Sequence, residues 1–132
     1  MDSKALVNDE IDAGAELVER FDKFMPVKVA FWLKPAEDDS WSLYIAADRV
    51  KQDGVAPGNR EIVRLCQEIN SPYLDMFQVR LIATDHPLAL AVFDVHQRYP
   101  GRLPIRYNGT MLGGMSIEGA YLYPAPLAAA NP

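Results

Sequence analysis

The chain is poor in the residue types that most readily announce a chemistry. It has one cysteine, Cys66, and two histidines, His86 and His96, in 132 residues. A single cysteine excludes an intramolecular disulfide and matches a reducing cytosol. Zinc needs three or four converging ligands. The two histidines fall in one predicted helix, where about 15 Å of rise and about 80° of rotation separate their rings. They cannot share an ion, so no metal is expected. The longest useful apolar run, "LALAVF" from Leu88 to Phe93, falls far short of a bilayer span. The opening "MDSKALVNDE" lacks the apolar core of a secretion signal. Positive charge is in deficit, with a net charge of −5 and a pI of about 4.9. That balance disfavours non-specific binding to nucleic acid or to an anionic membrane. The expectation is a cytoplasmic protein with no membrane segment.

What is present suffices for one domain. Hydrophobic residues make up 49% of the chain and charged residues 23%. At this length about two-thirds of the unfolded surface can be buried, so no metal or disulfide is needed to close a core. Ile11, Leu17, Val18, Phe21, Phe24 and Met25 recur at three- and four-residue spacing, which predicts a helix from Asn8 to Met25 stopped by Pro26. The period then becomes two. In "VKVAFWLK", Val27, Val29, Phe31 and Leu33 alternate with Lys28, Ala30, Trp32 and Lys34; "WSLYIAA" follows after a polar loop, which predicts a hairpin. "DRVKQDGVAPGN" reads as a loop and Arg60 to Asn70 as a second helix. "MFQVRLIAT" is a third strand. A third helix runs from His86 to Arg98, with Thr84 or Asp85 as its cap and Pro87 in its first turn. "LPIRY" and "MSIEGAYLY" are the last strands. The prediction is a single α+β domain over residues 1–123, of element order αββαβαββ. It has about five strands in a mixed sheet with three helices. A flexible Pro- and Ala-rich tail is expected over 124–132.

"YNGTMLGGMSIEGAYLYP", residues 107–124, is glycine-rich but does not suit phosphate. A P-loop needs a lysine and a following helix; here Met115 follows Gly114 and strand character continues. The same lack of a helix removes the dinucleotide fingerprint. Turns at Asn108-Gly109 and Gly113-Gly114 are the expectation. No cofactor is implied.

"VKVAFWLKPAEDDSWSLYIA" and "IRYNGTMLGGMSIEGAYLY" resemble a family of uncharacterised small prokaryotic proteins. The resemblance covers most of the chain, is structural, and implies no catalytic residue. The N-terminal helix and first hairpin are also similar to GAF-type sensor domains, although a cofactor cysteine or a cyclic-nucleotide motif is not evident. That likeness implies a small-molecule sensor with a pocket between the sheet and "DRVKQDGVAPGN".

The remaining candidates are individual side chains. Cys66, beside Ile62 and Ile69, reads as a buried thiol rather than a nucleophile served by His86 or His96. Arg98, Arg102 and Arg106 either form an anion contact or are scattered surface charge. Strand parity sets Trp32 opposite Phe31 and Leu33, on the face of Lys28, and assigns Tyr44 to that face as well. Trp32, Tyr44 and Lys28 would then form an aromatic recognition surface, unless a helix or the tail covers it. The leading expectation is a non-catalytic interaction domain that binds a protein partner or forms a homodimer through this surface. A small-ligand sensor is the alternative, and a hydrolase or transferase with a site of scattered polar residues is the third reading.

Overall fold

A carboxylate and a proline bound the first helix, α1 (Asn8–Phe24). At its start the buried Glu10 reaches back and accepts from the Val7 amide at 3.1 Å, which satisfies one of the free N–H groups of a helix terminus. At its end Pro26 stops the turn, and Asp22 accepts from the Val27 amide at 2.8 Å, fastening the helix to the strand that follows. The computed structural model describes residues 5–38, 40–101 and 103–124.

The predicted hairpin is formed by β1 (Val27–Pro35) and β2 (Ser42–Ala47), paired antiparallel. A short α2 (Val50–Asp53) and a longer α3 (Ala56–Ile69) then return the chain to β3 (Val79–Ala83), which lies parallel to β2. The segment 56–59, expected in a loop, is the first turn of α3, with Pro57 tolerated there because that position needs no amide partner. One turn of 3₁₀ helix, Met76–Gln78, takes up the start of the predicted third strand. Next comes α4 (Pro87–Arg98), then β4 (Ile105–Tyr107), β5 (Met111–Leu112) and β6 (Met115–Leu122). The cap of α4 is neither Thr84 nor Asp85. His86 Nδ1 accepts from the Leu88 amide at 3.0 Å, while Asp85 pairs with Lys51 at 2.9 Å. Gly113 and Gly114, at φ of 57° and 82°, make the tight turn between β5 and β6. Both central residues of such a turn need positive φ, so the glycine-rich stretch is a hairpin.

The result is a mixed α+β domain in three layers. The sheet order is β3-β2-β1-β6-β4, with β5 paired to β6 at one side of this path. One core lies between the sheet and α1 with α3, and holds Trp32, Leu43, Ile45 and Leu81. The other lies under α4 and holds Phe31, Leu33, Tyr44 and Leu122.

This layering corrects the expected aromatic surface. Strand parity does place Trp32 opposite Phe31, but α1 and α3 pack on the Trp32 side and α4 on the Phe31 side. Both faces are therefore core, and Trp32 has 0% exposure. Tyr44 is not on the Trp32 face. In the register Phe31 faces Tyr44 and Trp32 faces Leu43, and the Phe31 and Tyr44 rings stack at 5.2 Å. Lys28 is displaced too. An irregularity between Val27 and Val29 sends Val27 into the α1 layer and Val29 into the α4 layer. A bulge breaks strict alternation, so Lys28 lands over the Phe93 ring of α4, 4.4 Å from its centroid. The predicted tail, beyond Pro124, lies outside the described residues.

Candidate binding groove along the edge of β3

A single helix about 10 Å wide cannot cover a sheet whose strands are spaced about 4.8 Å apart. On the face it serves, α4 packs against β1 and β5. The β2–β3 end of that face is left open, and a groove of about 580 Å³ occupies it. Ser42 and Tyr44 of β2 and Arg80 and Ile82 of β3 all point to this face. Pro35 and Asp38 stand at one side and His86 at the start of α4. The groove also passes around the sheet edge. Val79 and Leu81, whose side chains belong to the opposite core, border it, as do Val55 and Asn59 at the start of α3.

The walls are held from below. Lys34, 1% exposed, donates from Nζ to the Asp38 carbonyl at 2.6 Å and meets Glu118 at 3.2 Å. A buried ammonium without such partners would be costly, so this pairing holds Asp38 in place. Ser40 adds bonds from its amide and hydroxyl to Asp38 Oδ1, at 3.2 and 3.1 Å. The floor is Tyr44, set by its stack on Phe31.

The polar groups around the groove are mostly donors. Arg80 is exposed and makes neither an ion pair nor a hydrogen bond among the described residues. The hydroxyls of Ser42 and Tyr44, in residues 7% and 8% exposed, have no partner there either, and nor does the Asn59 side chain. His86 accepts at Nδ1, so its neutral ring carries the proton on Nε2 and offers another donor. Such a set can receive an anion or the carbonyl groups of a ligand.

Of the residues predicted from sequence, Tyr44 reaches this groove. Trp32 and Lys28 do not. Of the predicted arginine contact, Arg98 pairs with Asp94 at 3.0 Å on its own helix and Arg106 lies 5.3 Å from the Tyr121 ring. Arg102 lies outside the described residues. Cys66 is buried in the α1–α3 core, where loss of solvent pushes its thiol pKa up and nearby Asp75 adds to the effect. That is the wrong direction for a thiolate nucleophile. His96 is 8% exposed, and burial pushes its pKa down. Among the described residues no group of three or more His, Cys, Asp or Glu is placed to hold a metal ion. No helix among them is long and apolar enough to cross a membrane.

Sequence reasoning missed Arg80, Ser42 and Asn59. Arg80 sits in a strand and reads as ordinary outward charge; only the edge position of β3 brings it to a groove. The sequence signal nearest the mark was the polar segment "DRVKQDGVAPGN", whose last residue is Asn59. No family model matches the chain, and neither curated proteins nor solved structures yield a match.

Proposed function

We propose that this is a small, non-catalytic binding domain and that the groove beside β3 is its binding site. The observation that carries this reading is Arg80. Among the described residues it is an unpaired guanidinium beside two unpartnered hydroxyls, above an aromatic floor. A guanidinium in that setting recognises a carboxylate or phosphate, and the Tyr44 ring supplies apolar contact for the rest of the ligand. A nucleophile paired with a base, or two carboxylates in contrasting environments, would have favoured catalysis. Apart from the Asp38 carboxylate at one side, the polar side chains of the groove can donate. The reducing, cytoplasmic setting read from Cys66 belongs to the same proposal. Association with a protein partner is retained, but through this groove and not through Trp32.

A titration of isotope-labelled protein with N-acetylglutamate and with inorganic phosphate tests the reading by amide chemical shifts. Shifts should cluster at Ser42, Tyr44, Asn59 and Arg80 and vanish in Arg80→Ala. Shifts scattered over the surface, or unchanged in the variant, would sink it. The small-molecule sensor is a second reading, favoured by Val55 and Asn59 of the predicted pocket loop bordering the groove.

A further inference from the structure

We infer that the groove receives an extended acidic peptide, added to the sheet as a strand along β3. The inference rests on the binding reading just given and names the class of partner. Among the described residues the sheet order gives β3 a strand neighbour on one side only. Its other side presents main-chain N–H and C=O groups that a further strand can pair. Val79, Arg80, Leu81 and Ile82 are consecutive, and their side chains alternate between the two faces; all four border the groove. What they share on one side is the backbone edge. Val79–Ala83 would extend about 17 Å, enough for a partner of about five residues.

Two features favour a peptide over a second copy of the domain. First, residues from both sides of the sheet flank the edge, Val55 and Asn59 on one side and Ile82 and His86 on the other. A lone strand fits between such flanks more readily than a domain carrying its own helix layers. Second, Arg80 has no counter-ion among the described residues. A two-fold partner would bring a second Arg80 to the same junction, whereas a peptide can bring a carboxylate. Strand pairing also dictates its pattern. Acidic side chains would alternate with apolar ones, the acids toward Arg80 and the apolar residues toward exposed Val55.

The test uses the full chain and a terminally blocked pentapeptide, Val-Glu-Val-Glu-Val, with Val-Gln-Val-Gln-Val as its neutral twin. Amide hydrogen exchange and chemical shifts report on β3, and N-acetylglutamate serves as the small-anion control. Strand addition predicts new protection at alternate amides of Val79–Ala83. Arg80→Ala should weaken the acidic peptide by at least about tenfold while changing the neutral one little. Arg80 is exposed, so the variant should fold, which its spectrum checks. Groove shifts with N-acetylglutamate, without peptide-induced protection of β3, would overturn strand addition and leave a small-ligand site standing. Protection of β3 that rises with protein concentration alone, with a doubled mass, would mean that a second copy takes the edge and overturn the inference. If neither probe moves a groove residue, this inference and the binding reading both fail.

Discussion

The indole Nε1 of Trp32 donates a 2.8 Å hydrogen bond to the hydroxyl of Tyr123, which in turn donates to the Ile11 carbonyl at 2.6 Å. One buried phenol thus joins α1, β1 and the end of β6. The low dielectric around it pushes the Tyr123 pKa up, and the Trp32 N–H acts in the opposite direction.

Removing that oxygen leaves the buried indole N–H unmatched and strips the Ile11 carbonyl of its second bond, so Tyr123→Phe should destabilise by about 1–3 kcal/mol. Trp32→Ser should do far more, because it also empties a fully buried indole site; losses of about 3–5 kcal/mol are usual for such truncations. Urea unfolding followed by far-UV dichroism measures both. A Trp32→Ser protein as stable as the parent would contradict the core placement.

Gly14 is where α1 passes closest to this pair. A Cβ there would sit 2.5 Å from the Tyr123 hydroxyl and 3.0 Å from Trp32 Nε1. Alanine favours a helix by up to about 1 kcal/mol over glycine, yet this contact should reverse the sign. Gly14→Ala is expected to lower the melting temperature, and a rise would show that α1 stands further from the sheet.

Cys66 should behave as a core thiol. Its raised pKa and 8% exposure predict slow reaction with a thiol reagent in the native protein and fast reaction in denaturant. Cys66→Ala should cost on the order of 1 kcal/mol through a small cavity. Rapid native labelling with an acid-shifted pH profile would contradict this.

His96 should make stability depend on pH. Its folded pKa lies below the ordinary 6.5, chiefly because burial penalises the imidazolium, and a bond with the Tyr123 backbone only partly offsets this. Its Nε2 is buried without a partner among the described residues. The unfolded chain therefore binds a proton first as pH falls. The His96 contribution is whole above about pH 6.5 and is lost as pH drops through the folded pKa. Denaturant midpoints at about pH 7.5 and about pH 5.5 should differ more in the parent than in His96→Leu. Equal differences would remove His96 as the cause.

Most of the elements were legible because their signals are local, though the short α2 fell in a segment read as loop and β5 in one read as turn. The three- and four-residue spacing of Ile11, Leu17, Val18 and Phe21 yields α1, and Pro26 ends it. Alternation through Phe31, Trp32 and Leu33 yields β1, and Gly113-Gly114 yields the last turn. Cys66 on its apolar stripe is buried as its spacing implies. Local pattern cannot say which face of a sheet receives a helix. Trp32 and Phe31 are equally apolar on opposite sides, and only the packing of α1 with α3 against one and α4 against the other made both of them core. Nor can it fix register: Tyr44 stacks on Phe31 because of how β1 and β2 pair, and Lys28 leaves the Trp32 face because β1 is irregular near Val27. The groove follows from the same non-local facts. Arg80, Ser42 and Asn59 are far apart along the chain, and they meet because β3 is an edge strand and α4 leaves that end of the sheet uncovered.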